Sequence, residues 1–134
     1  MTKNKMNFFF DYIYFRITQL FFKRQGRTGA TAITVISLME IFLILVFVFE
    51  PIKYWITVYQ GNTYSIQMGK IAFIGVFLLL FFFNYKKYTG KYNFYRFHWK
   101  DESPSKRRIK GVLVVIAIIL PLLICILANK YWKV

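Results

Sequence analysis

Glu40 is the residue whose place in the chain most needs a chemical explanation. It is the one charge in the 21-residue apolar stretch Gly29 to Phe49, which as a helix is about 31 Å long at about 1.5 Å per residue. An ionised carboxylate halfway along such a stretch costs at least about 2.5 kcal/mol on insertion scales. One expectation is a proton or cation site. The plainer one is a structural carboxyl bonded to Ser37, to Asn84, or to a partner protein's helix. The partner is preferred, because the chain has no basic residue at that depth to pair with it.

The other candidates for chemistry are ordinary. His98 is the only histidine and has no Asp, His or Cys arrangement that would make a ligand set or a triad. Cys125 is the only cysteine. It follows Leu122-Leu123-Ile124 inside the last apolar run, without the small preceding residue of an acylation site, and reads as a small buried hydrophobe. Glu50 and the pair Asp101-Glu102 read as solvated charges at membrane boundaries. Paired carboxylates for hydrolysis, glycine-rich phosphate loops and nucleophile elbows are absent from the sequence. The expectation is no enzyme, no metal and no cofactor.

The composition says what must position these residues. The chain has 134 residues, 57% hydrophobic and 22% aromatic, with 19 Lys and Arg against 5 Asp and Glu for a formal charge of +14. Such basicity is common in nucleic-acid binders, but three long apolar runs leave too little chain to bury a soluble core. The predicted fold class is an all-α integral membrane protein, an N-terminal interfacial amphipathic helix followed by three transmembrane helices.

Residues 1–28 are expected to form a cytoplasmic-face helix and a glycine hinge. At 100° per residue, Phe9, Phe10, Ile13, Tyr14, Ile17, Leu20 and Phe21 share one face, and Asn7, Asp11, Arg16, Thr18, Gln19 and Lys23 the other. Asp11 and Arg16 interrupt the apolar centre that a signal peptide would need. The spans are placed at 29–49, 66–85 and 111–129. Glu50-Pro51 is taken as the end of the first, since a residue before proline is pushed away from helical angles. Residues 50–65 form an extracytoplasmic aromatic loop with Tyr54, Trp55 and Tyr59 as a belt and a turn at Gln60-Gly61-Asn62. Lys70 can snorkel from the second span. Pro121 is expected to kink the third, and residues 130–134 form an extracytoplasmic tail anchored by Tyr131 and Trp132.

Orientation follows from the bases. Fifteen Lys and Arg lie in the N-terminal segment and the 86–110 loop, and four lie on the opposite side. The positive-inside rule then puts the N-terminus and that loop in the cytoplasm and the C-terminus outside. The loop interleaves Tyr88, Tyr92, Phe94, Tyr95, Phe97 and Trp99 with nine basic residues. Arg and aromatic side chains can stack on bases, yet a loop between two spans meets anionic phospholipids first, so no nucleic acid is expected. Candidate residues for docking lipid or partner are Arg16, Lys23, Arg24, Arg27, Arg96, Trp99, Lys100, Arg107 and Arg108.

Asp11-Tyr12-Ile13-Tyr14-Phe15-Arg16-Ile17, Gly26-Arg27-Thr28-Gly29 and Thr31-Ala32-Ile33 form one group of motifs. Lys91-Tyr92-Asn93, Arg96, Trp99-Lys100-Asp101-Glu102, Lys110-Gly111 and Leu120-Pro121 form another. In these motifs, over most of its length, the chain resembles a family of small inner-membrane proteins of Bacteroidota. The resemblance implies a bacterial inner membrane and carries no activity. An acidic residue would be expected at Gln25 and an amide near Glu40, so a proton-carrying Glu40 would not be general to the family. The functional expectation is an accessory or scaffolding subunit packed against a larger membrane protein complex. A small oligomeric transporter or proton pathway using Glu40 and an anionic-lipid-binding membrane organiser are the alternatives.

Overall fold

The computed structural model of the chain describes residues 8–60 and 66–131. These are all-helical, in the order α1 (Phe8–Gln25), α2 (Ala30–Ile44), a π-helical turn (Leu45–Phe49), α3 (Glu50–Gln60), α4 (Ile66–Tyr88), α5 (Tyr92–His98) and α6 (Pro104–Tyr131). Three helices are long and apolar enough to cross a membrane: Ala30–Tyr59, Gln67–Tyr88 and Pro104–Tyr131, of 30, 22 and 28 residues. Asn7, Gly61, Asn62 and Trp132, on which parts of the expected first helix, turn and tail rest, lie outside the described residues.

The first of these helices does not stop at Glu50-Pro51, where the sequence placed its end. Proline has no N–H to give the carbonyl four residues back, and its ring crowds that carbonyl. Here the turn before it is widened: the Glu50 N–H bonds to the carbonyl of Leu45, five residues back. That wider turn lets the helix run on as α3. The expected aromatic loop is therefore helical through its first eleven residues, with Tyr54, Trp55 and Tyr59 exposed along it.

α2 is the hub. It packs against α1, α4 and α6, and α1 also packs on α5. Ala32, Ile33, Ile36 and Met39 of α2 meet Tyr12, Ile13, Tyr14, Phe15 and Ile17 of α1 in one buried cluster, which Tyr88, Tyr92, Tyr95, Trp99 and Val114 complete. The 86–110 segment is not a loop in the structure. Residues 86–88 end α4, α5 is a two-turn helix, and α6 begins at Pro104, seven residues before the expected third span. A proline in the first helical turn forfeits no helical bond, and the Arg107 N–H bonds to the Ser103 carbonyl at 3.0 Å. The helix then runs through Pro121, which is buried.

The α1 faces differ from those read off its periodicity. Asp11 and Thr18, placed on the polar half, are each 2% exposed, whereas Phe9, Leu20 and Phe21, placed on the apolar half, are exposed. Asp11 through Phe15 are buried without a break. A helix that rests on one surface cannot bury five consecutive residues, whose side chains cover its whole circumference. This part of α1 is enclosed by protein.

Glycine is required at one junction. Gly29, with φ 62°, precedes α2 in the left-handed region, and a Cβ there would lie 2.6 Å from a ring carbon of Tyr14 and 2.8 Å from Thr18 Oγ1. The missing side chain lets α1 fold back against the start of α2. Gln25 secures the same corner: its amide oxygen accepts the Thr31 N–H at 3.0 Å and its amide nitrogen donates to Thr31 Oγ1. An orphan donor of the first α2 turn is thereby satisfied.

Candidate functional site

The structure gives Glu40 a partner within the chain. Asn84 of α4 donates from Nδ2 to Glu40 Oε2 at 2.7 Å and lies 3.1 Å from Ser37 Oγ. Ser37 in turn donates to the Ile33 carbonyl at 2.8 Å. Asn84 and Ser37 are buried and Glu40 is half-buried. Ser37 and Glu40 lie three residues apart on α2, so both face the same side chain of α4. Both residues weighed as internal partners from the sequence are present in this latch.

Its depth is shallower than the midpoint that the sequence implied. The helix bearing Glu40 continues to Tyr59, so Glu40 lies about a third of the way along it. Asn84 is three residues from Lys87, about 4.5 Å of helix rise. Lys87 pairs with Asp11 of α1 at 3.8 Å. A polar layer thus runs from Ser37 and Glu40 through Asn84 to Lys87 and Asp11. Asparagine carries no ionisable proton, so the Glu40–Asn84 contact can hold two helices together but cannot relay a proton.

Asp11 sits in an aromatic box. The Tyr14 and Tyr88 rings stack with centroids 4.8 Å apart, Tyr95 meets Tyr14 edge-on at 5.9 Å, and Trp99 stacks on Tyr95 at 5.6 Å. Burial and the Asp11 charge both push the Tyr95 hydroxyl up from its ordinary value. Each aromatic pair adds about 0.5–1.5 kcal/mol beyond burial, so α1, α4 and α5 form one fixed unit.

A second latch closes that unit onto α6. Glu102 accepts a hydrogen bond from the Tyr12 hydroxyl at 2.9 Å and pairs with Lys110 at 2.6 Å, and the Lys110 ammonium lies 5.0 Å from the Tyr12 ring centre. Burial, and then the hydrogen bond to Glu102, push the Tyr12 pKa up to about 12. Sequence reasoning took Glu102 for a solvated charge, and the structure leaves its side chain only 7% exposed. The signal that could have exposed this was scarcity. Five acids serve the whole chain, and Asp11, Glu50 and Glu102 pair with Lys87, Lys53 and Lys110 while Glu40 accepts from Asn84.

Some of the docking candidates converge and others do not. Arg96 of α5, Trp99 and Lys100 beyond it, and Arg107 of α6 line a cavity of about 170 Å³ with Phe15, Gln19 and Glu102. Arg16 is half-buried and donates to Gln19 at 3.2 Å. Lys23, Arg24 and Arg27 are exposed around the end of α1, and Arg108 is exposed on α6, none of them lining the cavity. His98 meets the edge of the Trp99 ring at 5.2 Å, and no cluster of three or more His, Cys, Asp or Glu occurs among the described residues.

A larger, mostly apolar cavity of about 450 Å³ was not foreseen. It lies at the other end, where Leu45, Phe49, Glu50 and Lys53 of the π-helical turn and α3 face Gly69, Lys70, Phe73 and Ile74 of α4. The widened turn that accommodates Pro51 forms one wall. No protein-family model matches the chain, and no curated protein or solved structure is significantly similar to it.

Proposed function

We propose that the chain is a non-enzymatic bacterial inner-membrane protein that serves as an accessory or scaffolding subunit of a larger membrane protein complex. In this reading Ala30–Tyr59, Gln67–Tyr88 and Pro104–Tyr131 cross the bilayer, and α1 and α5 lie on the cytoplasmic side. The C-terminus lies outside. The fifteen-to-four division of basic residues supports that orientation, and the motif resemblance described above supports the membrane.

One observation carries the subunit reading. α4 has an uncovered face on which Ile71, Gly75, Leu78, Leu79 and Phe82 follow each other at helical spacing, all exposed. A Cβ on Gly75 would meet nothing within 4 Å. In lipid, helices associate through close packing rather than the hydrophobic effect, and a small residue at the contact lets two backbones approach. Glu40 supports the same reading, because its bond to Asn84 serves assembly of α2 with α4 and removes the need for a transport role to explain it. The test is to purify the full chain from its native membrane in mild detergent and identify what accompanies it. A stoichiometric integral membrane companion is expected. Recovery of the chain alone, under conditions that preserve other membrane complexes, counts against the proposal.

A further inference from the structure

Among the described residues, four of the five acids are engaged by neighbouring side chains, while only Lys53, Lys87 and Lys110 of the bases form ion pairs. Arg96, Lys100 and Arg107 form no ion pair among the described residues, yet they surround one cavity. The carboxylate that shares its wall, Glu102, is already balanced by Lys110 and by the Tyr12 hydroxyl. Three cations around a common space repel each other unless an anion joins them.

The backbone that carries them is held in place. Arg96 follows buried Tyr95, Lys100 follows buried Trp99, and the Trp99 N–H bonds to the Tyr95 carbonyl at 3.1 Å. Arg107 extends from the first turns of α6, which Glu102 and Lys110 tie to the aromatic unit through Tyr12. Phe15 and Trp99 supply an apolar floor.

A guanidinium presents paired N–H donors that match the oxygens of a phosphate, and a nearby lysine adds a point charge. The cavity, about 170 Å³, suits a phosphate with its ester oxygen rather than a whole nucleotide. We propose that the Arg96–Lys100–Arg107 cavity binds a phosphate ester anion, and that its source is the headgroup of an anionic phospholipid. Basic pockets beside spanning helices on the cytoplasmic side take such headgroups. The inference rests on the cytoplasmic placement of α5 in the proposed function but needs no partner protein, so the two fail separately.

The test uses the full chain, purified and placed in nanodiscs of phosphatidylcholine with a minor share of phosphatidylglycerol, with retained lipid read by native mass spectrometry. The double variant Arg96→Gln, Arg107→Gln should lose phosphatidylglycerol retention by about tenfold, as expected when charge-assisted hydrogen bonds are removed. A charge-matched control, Lys86→Gln with Lys130→Gln, away from the cavity and outside the docking candidates, should retain it. Both pairs are exposed, and near-ultraviolet circular dichroism of the aromatic unit checks that neither variant unfolds. A parallel arm titrates glycerol 1-phosphate against the detergent-solubilised chain. Arginine-dependent binding of this soluble ester, with no phosphatidylglycerol enrichment, would overturn the lipid source. Equal loss in both double variants, or no loss in either, would overturn the site itself.

Discussion

Asn84 of α4 donates to the Glu40 carboxylate of α2 at 2.7 Å, a side-chain contact that gives a charge in the first apolar helix a defined partner from the second. Replacing Glu40 by Gln keeps an acceptor of the same shape, so Glu40→Gln should be nearly neutral in thermal stability. Asn84→Leu removes the donor and leaves the carboxylate unmatched, which should destabilise by about 1–3 kcal/mol. A Gln variant as unstable as the Leu variant would show that the contact depends on the charge and not on the hydrogen bond. Melting curves in detergent distinguish these outcomes.

Gly29 should tolerate substitution worse than the other two glycines at positive φ among the described residues. Gly26 and Gly90 have φ 61° and 77°, and a Cβ added at either would meet nothing within 4 Å, while at Gly29 it would meet the Tyr14 ring and the Thr18 hydroxyl below 3.0 Å. Gly26→Ala and Gly90→Ala should each cost about 1–2 kcal/mol from backbone conformation alone. Gly29→Ala should cost more, because α1 must also move off α2. Limited proteolysis of α1 provides a second readout, with cleavage expected to rise for the Gly29 variant first.

Tyr12 links stability to alkaline pH. Its hydroxyl is protonated in the fold and donates to Glu102, with the pKa raised from 10.0 to about 12. A group whose pKa is raised by folding contributes its full stabilisation below the unfolded value and loses it as pH rises through the folded one. The stability difference between the wild type and Tyr12→Phe should therefore be constant up to about pH 10 and shrink towards about pH 12. Denaturation of both proteins across that range measures it.

The three apolar helices, the glycine hinge and the basic 86–110 segment were legible in the sequence because each depends on local composition. The end of the first helix was not, since Pro51 stops a regular α-helix but not one widened from Leu45 to Phe49. The buried face of α1 was not legible either. Periodicity places Asp11 among polar residues, and only the fold brings Lys87 and the Tyr88 and Tyr95 rings around it. Of the docking candidates, spacing revealed the charge, but the convergence of Arg96, Lys100 and Arg107 on one cavity required the fold to bring α5, the residues after it and the start of α6 around Phe15 of α1.

The proposed orientation makes a separate prediction. Reporter fusions at residue 1 and near Ser103 should give cytoplasmic signals, and fusions near Gly61 and at Val134 should give extracytoplasmic ones. An extracytoplasmic signal at Ser103 would invert the topology and remove the cavity from the cytoplasmic leaflet.

The proposed subunit role is tested most directly by co-purification of a Gly75→Leu variant with the wild type as reference. The added side chain has open space in this chain's own fold, so folding and membrane level should be unchanged, while a helix packed closely on that face of α4 would be displaced. The expected result is that the wild type recovers its membrane companion and the variant, equally abundant and equally stable, does not. Full recovery of the same companion by Gly75→Leu would contradict docking through this face of α4.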